Sequence, residues 1–239
     1  MHVLDLGSGI GDVSLIAAKL VGAQGSVTGS VTGLDQDGVS LEIARRRAAS
    51  AGLDWVSFQQ ADLEHHHSHH RYDAVIGRHI LIHVRDPVAL LRKLAARIGP
   101  RGLLAFQEGV FAELPGSHLV SPTARELGRI VSQVLVGENR YADLGLRLFS
   151  LMREAGLPAP VCRMECLIDG GPDSPFYEWF AESVRSLLPL IEAGGLATAA
   201  WIDVDTLADR LRAEADSMGL PLFAPPLVGA FTRVETRVE

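Results

Sequence analysis

The sequence predicts an α/β fold, an open sheet of mostly parallel strands flanked by helices. Three observations carry that expectation. Val3, Leu4 and Leu6 form a short apolar run of the kind a buried parallel strand shows. Gly7, Ser8, Gly9, Ile10 and Gly11 turn the chain directly after it, and Val13, Ile16, Ala17 and Leu20 then recur at i, i+3, i+4 and i+7, one face of a helix. Strand-like and helical stretches then follow one another along 239 residues, 47% of them hydrophobic, which suits one α/β domain with a sizeable core.

The first corner is a site by its own chemistry. Its glycines let a ligand approach the backbone closely. The helix that follows offers unpaired N–H groups and a partial positive charge, so the corner accepts a carboxylate or a phosphate. Asp5 lies inside the preceding strand, and the glycine spacing is G-x-G-x-G, with Asp12 where a dinucleotide fingerprint has its third glycine.

Next, GSVT occurs twice in tandem from Gly25, read as a slipped duplication that lengthens the loop. The second strand spans about Ser30 to Leu34, with Asp35 at its carboxyl end, where open α/β sheets bind ligands. A carboxylate there can accept two hydroxyl hydrogen bonds, or it can serve as the N-terminal charge of the next helix. Asp37 suits the cap of that helix. Val56 to Gln60 is a third strand, followed by Asp62 and Leu63. His65 to His70 reads HHHSHH. On a helix its i, i+4 pairs can hold a transition metal; as low-complexity sequence it is a surface insertion.

Tyr72 to Gly77 is a fourth strand, continued by Arg78 and His79, with His83 four residues on. Histidine titrates near neutral pH, so His79 can orient a substrate or take its proton; the alternative is a packing histidine. Asp86 and Pro87 open a helix, and Gly99-Pro100 is expected to stop it. Gly102 to Gln107 is a fifth strand ending at Glu108, which either faces the substrate or is a solvated strand end. Beyond it, residues 122–136 and 144–155 look helical and 161–168 forms a sixth strand. Helices over 174–192 and 204–218 are insertions, and 227–234 is the last strand. Phe176, Tyr177, Trp179 and Phe180 cluster in the first insertion, as core or as an acceptor wall.

Composition excludes several classes. Net charge is −7 with no long Lys/Arg run, which argues against a nucleic-acid partner. No apolar stretch reaches spanning length and no signal peptide is recognised, so no membrane partner is expected. Cys162 and Cys166 are the only cysteines. On one strand their Cα atoms lie roughly 13 Å apart, too far for a disulfide, and a reducing cytoplasm fits.

The run VLDLGSGIGDVSL resembles motif I of the class I S-adenosylmethionine-dependent methyltransferases, and is similar to that of small-molecule, ubiquinone/menaquinone methyltransferase-like members. The resemblance implies a Rossmann-like, doubly wound, seven-stranded sheet of order 3-2-1-4-5-7-6 with the last strand antiparallel. It implies one methyltransferase domain over 1–239, with a cofactor half over 1–110 and a C-terminal half over 111–239 that carries inserted helices across 174–218. The implied cofactor is S-adenosylmethionine. The glycine turn with Gly7, Ser8, Gly9 and Gly11 would pack against its methionine part, with Asp5 also in the cofactor site, Asp35 would bind its ribose and Gln36 would lie beside its adenine. Asp62 would accept the adenine amino hydrogen, Leu63 would donate a backbone N–H, and Gly77 with Arg78 would hold the methionine amino group. Relatives have a variable loop at the His run, so it is read as a surface insertion with no metal assigned. Relatives also carry helices before motif I that close over the cofactor; here only Met1 and His2 precede the strand. The start is therefore misassigned, the chain is a fragment, or another segment does the covering.

The expected reaction is methyl transfer to a small molecule. Two other classes stay open: a nicotinamide-dependent oxidoreductase, and a catalytically silent cofactor-binding protein. The missing sixth-position glycine and the Asp62 signal count against the first.

Overall fold

A computed structural model of the chain describes residues 1–22, 29–63, 71–112, 121–137 and 141–234. The His run and the first GSVT copy lie outside the described residues. The element order is β1 (His2–Leu6), α1 (Asp12–Val21), β2 (Ser30–Asp35), α2 (Gly38–Ser50), β3 (Val56–Gln60) and β4 (Tyr72–Arg78). A 3-10 turn (Leu81–His83) leads to α3 (Pro87–Ala95) and β5 (Ile98–Gly109). Then come α4 (Pro122–Gly137), α5 (Leu144–Glu154), β6 (Val161–Glu165) and β7 (Ile168–Asp169). The chain continues with α6 (Phe176–Ala193), α7 (Ala199–Ile202), α8 (Val204–Met218), β8 (Leu222–Phe223) and β9 (Leu227–Arg233).

Seven strands form one sheet in the order β3-β2-β1-β4-β5-β9-β6. This is the expected 3-2-1-4-5-7-6 order, with β9 as the seventh strand. β1 lies between β2 and β4, parallel to both, so Asp5 sits opposite Gly33 on one side and Ile76 on the other. β9 runs against β5: the Arg101 N–H donates to the Val234 carbonyl, whereas the Val110 N–H donates to the Pro226 carbonyl. The parallel strands bring their carboxyl ends to one edge, and Leu6, Asp35 and Arg78 end there.

The described chain groups into two compact units. The first comprises Met1–Glu108, Gly145–Arg163 and Val228–Glu239. Val3, Ala17, Ala18, Val21, Val31 and Ala74 pack together in it, and Leu41, Ala44, Ala48 and Phe58 form a second cluster under α2. The second unit comprises Gly109–Leu144 and Met164–Leu227. Its core is helical: Leu127, Ile130 and Val134 of α4 meet Tyr177, Ala181 and Val184 of α6 and Leu207 and Leu211 of α8. No helix of the described residues is long and apolar enough to cross a membrane.

Local chemistry explains the helix starts. Asp37 caps α2, its carboxylate accepting the Val39 and Ser40 N–H groups at 3.1 Å each. Asp86 caps α3 by accepting the Ala89 N–H at 2.9 Å, with Pro87 in the first turn.

Three expectations need correction, and one open alternative is resolved in part. Ile16 and Leu20 do not face the core: they are 60% and 61% exposed, and α1 instead buries Ser14, Ala17, Ala18 and Val21. Ser14 on that buried face donates to Asp5 in the sheet at 2.6 Å. Gly99-Pro100 does not stop α3, which ends at Ala95; both residues lie in β5, whose Ile98 already pairs with Tyr72. The single strand expected over 161–168 breaks after Glu165, and Ile168 pairs with Phe223 in a separate two-stranded sheet. Phe176 and Tyr177 are core residues of the second unit, while Trp179 is 49% exposed and stacks on Phe176 at 5.2 Å.

Candidate functional site

The glycine turn is an ordered loop with one open face. Ser8 donates its N–H to the Leu34 carbonyl at 2.9 Å, which ties the turn to β2. The Gly11 N–H donates to the Ser8 carbonyl at 2.8 Å, and α1 begins from there. Gly7, Gly9 and Gly11 all hold positive φ, at 65°, 51° and 88°. Gly7 and Gly9 differ in what surrounds them. A Cβ on Gly7 would meet Ile80 Cδ1 at 2.4 Å, whereas one on Gly9 would meet no heavy atom within 4 Å. Gly7 is required by packing. Gly9 lies beside open space.

Asp35 borders that space from β2. Its Oδ2 accepts the Gly9 N–H at 2.8 Å and its Oδ1 accepts the Asp37 N–H at 2.9 Å. Each oxygen of a carboxylate has about two acceptor sites, so both oxygens keep capacity for a further donor. The half-buried carboxylate thus holds the turn and faces outward in one arrangement. Ser8 Oγ is buried with no hydrogen-bond partner. Gln36 is exposed, and its carbonyl accepts from Gln60 Nε2 at 2.9 Å. Asp62 is exposed and Leu63 half-buried on the segment after β3, which is anchored where the Ala61 N–H donates to the Asp35 carbonyl at 2.9 Å. An open cradle at Gly9, an unpartnered buried hydroxyl and a carboxylate with spare acceptor capacity fit the ribose and chain of a nucleoside-type cofactor.

Asp5 is placed differently from its neighbours. It is 1% exposed, and its Oδ2 accepts the Ser14 hydroxyl at 2.6 Å, so its side chain is engaged with α1. Burial, set against the Ser14 bonds and helped by the nearby Asp35 charge, pushes its carboxyl up to about 6. Because the folded value is raised, the stability contributed by protonated Asp5 is full below about pH 4 and is lost as pH rises through about 6. Asp5→Asn is expected to flatten that loss, worth about 3 kcal/mol at its limit, and thermal melts between pH 4 and 8 measure it.

The far wall is the segment after β4. Gly77 is buried, and a Cβ there would meet Ile80 Cγ2 at 2.7 Å. Arg78 is exposed and pairs in register with Gln107. His79 is half-buried with φ +52°, a region histidine visits more readily than most residues, and its N–H donates to the Gln107 carbonyl at 2.9 Å. Burial first, then the charges of Arg78 and His83, lower its pKa, so the neutral imidazole dominates at neutral pH. Glu108 neither faces solvent nor lies open to a ligand: it is fully buried beneath this segment.

Among the described residues no cluster of His, Cys, Asp and Glu is arranged to hold a metal. A hollow of about 430 Å³ lined by Leu15, Ile43, Arg46, Arg47, Ser50 and Ala51 contains none of the residues above.

Residues 1–155 match the family model described as Methyltransferase domain. The chain belongs to the methyltransferase domain family. Curated relatives of this methyltransferase-family chain include the ubiquinone biosynthesis O-methyltransferase of Vibrio campbellii, 37% identical over 106 residues that make up 44% of this chain and 42% of the relative. The relative of the same name from Proteus mirabilis is also 37% identical, over 44% of this chain and 40% of its own length. The matched part thus spans about two fifths of these relatives. Solved structures share the fold: Bacillus subtilis YcgJ has a TM-score of 0.60 at 17% identity, covering 98% of this chain and 92% of its own. Haemonchus contortus phosphoethanolamine N-methyltransferase 2, solved with S-adenosyl-L-methionine, has a TM-score of 0.57 at 15% identity over 99% of this chain and 49% of its own. The [4+2]-cyclase SpnF reaches 0.55 at 18% identity over 98% of this chain and 75% of its own, so this fold also serves other chemistry.

Two residues that support the glycine turn are not evident from the sequence. Ile80 fills the gap that Gly7 and Gly77 leave, and two glycines on adjacent strand ends are the signal for such a filler. Arg47 braces the turn, donating to the Ile10 carbonyl at 2.7 Å and pairing with Asp12 at 2.7 Å. Nothing in the spacing of α2 announces that role.

Proposed function

We propose that the protein transfers the methyl group of S-adenosylmethionine to a small-molecule acceptor. The observation that carries this reading is Asp35. Its carboxylate anchors the open glycine turn and keeps acceptor capacity at the carboxyl edge of the sheet. In this reading Asp35 receives the ribose hydroxyls, and Gly7, Ser8, Gly9 and Gly11 line the methionine part. Asp5 acts by fixing α1 through Ser14. Gln36, Asp62 and Leu63 border the adenine, and the Gly77 and Arg78 backbone meets the amino group. When bound, the sulfonium supplies an electrophilic methyl group. The chain's part is to hold donor and acceptor in line and to exclude water.

His79 stands at the acceptor side. Its neutral imidazole can take a proton if the acceptor must lose one. His79→Ala is expected to lower kcat/KM at least tenfold for a proton-bearing acceptor, with the acidic limb of the pH profile flattened and cofactor affinity unchanged. An unaltered pH profile assigns the histidine to packing.

The nicotinamide alternative finds no support, since position six of the turn is Asp12, committed to Arg47. An acidic chain without long basic runs fits a small-molecule acceptor better than nucleic acid, and we place it in the cytoplasm as one methyltransferase domain. Calorimetry with S-adenosylmethionine, its demethylated product and NAD tests the cofactor. Labelled methyl transfer to a panel of phenolic, amine and carbon acceptors tests the reaction. Binding of NAD in place of both sulfur compounds would sink the proposal.

A further inference from the structure

The carboxyl end of β5 carries a fully buried acid that the reaction above does not use. Glu108 is 0% exposed. Its Oε1 accepts the Ile80 N–H at 2.9 Å and the Leu81 N–H at 2.8 Å. Its Oε2 is buried with no hydrogen-bond partner. The residue next to those amides is His79, in its left-handed conformation and tied to β5 by its N–H bond to the Gln107 carbonyl. One side chain thus closes the corner that carries His79 and Ile80, and Ile80 in turn packs against Gly7 and Gly77.

We propose that Glu108 is a positioning residue that latches the His79–Leu81 corner and releases it when its carboxyl group loses its proton. The inference rests on the reading of this corner as the acceptor side of the site. The physics is burial. A neutral acid still offers a carbonyl oxygen to both amides, so the latch holds in the protonated form. The ionised form must keep a charge out of water with one oxygen unpaired, which favours an opened corner where the charge is hydrated. Burial accordingly pushes the carboxyl up to about 7, against the pull of the Leu81, Ile80 and Ile82 N–H groups. The sign follows. The folded value is raised, so the latch is fully closed at low pH and its hold is lost as pH rises through about 7. The other titratable groups of the corner are Arg78, His79 and His83. His79 has a lowered pKa, so its protonation opens the corner at low pH, the opposite sign.

The test is amide hydrogen exchange at Ile80 and Leu81 in the protein without cofactor or acceptor, corrected for the intrinsic pH dependence of exchange. The opened population of the parent protein is expected to rise by roughly fortyfold between pH 5 and 7 and to level off above about pH 8. In Glu108→Gln, which keeps an acceptor oxygen and cannot ionise, that rise should vanish, leaving only the reversed slope due to His79. A second measurement needs no variant. The Glu108 carboxyl carbon followed by NMR should titrate near 7, with the Ile80 and Leu81 amide signals moving at the same midpoint. A midpoint at the ordinary carboxylate value, or a Gln variant that keeps the rise, overturns the proposal. Neither readout involves methyl transfer, so failure here is separate from failure of the cofactor assignment.

Discussion

Asp35→Ala is expected to lower affinity for S-adenosylmethionine by about ten- to a hundredfold. Two effects add. A carboxylate that receives both ribose hydroxyls loses two hydrogen bonds to a charged acceptor, each worth roughly 1.5–3 kcal/mol before desolvation and non-additivity reduce the pair. The Gly9 N–H also loses its acceptor at 2.8 Å, so the glycine turn is no longer held for the ligand. Asp35→Asn should fall between, because its single amide oxygen cannot serve both the Gly9 and Asp37 N–H groups and carries no charge. Asp37→Ala is the control. That side chain caps α2 through Val39, Ser40 and the Ser40 hydroxyl, so its loss lowers helix stability and costs little affinity. Titration of the three variants, with melts to confirm folding, decides the matter. Should Asp37→Ala weaken binding while Asp35→Ala does not, the ribose is misplaced.

What could be read in advance divides along physical lines. Strand positions were legible because buried parallel strands are nearly all apolar, as in Val3–Leu6 and Tyr72–Gly77. The ligand edge was legible because strand order fixes where carboxyl ends meet, and Asp35 lies there. The face of α1 was not. Ile16 and Leu20 satisfy helical spacing as well as Ala17 and Val21 do, and the set that turns inward shows only in tertiary contacts, the Asp5–Ser14 bond and the packing of Ala17, Ala18 and Val21 among them. Glu108 was not legible either. An acid at a strand end has the same sequence pattern whether it meets water or caps a turn, and the difference lies in the Ile80 and Leu81 amides, 27 or 28 residues away. The break after Glu165 depends on Ile168 finding Phe223, a pairing that no local pattern encodes.

Gly9→Val should abolish cofactor binding, a loss of at least about a hundredfold, while leaving the protein folded. The contrast with Gly7 makes the prediction informative. A side chain at Gly7 collides with Ile80 Cδ1 at 2.4 Å, so any loss of binding there mixes misfolding with loss of the site. At Gly9 there is no protein atom within 4 Å to strike, so the folded state bears only the strain of φ +51°. That strain is about 1–2 kcal/mol for an ordinary residue and somewhat more for a β-branched one. It is a tolerable cost for a domain with the usual margin of stability. The valine methyl groups would occupy the space beside the Asp35 carboxylate, which the proposed ligand needs. Gly9→Ala should lie between, since one methyl group intrudes less. Melting curves and calorimetric titration of the parent and both variants separate strain from occlusion. A folded Gly9→Val protein that binds S-adenosylmethionine with parental affinity would remove the glycine turn from the site.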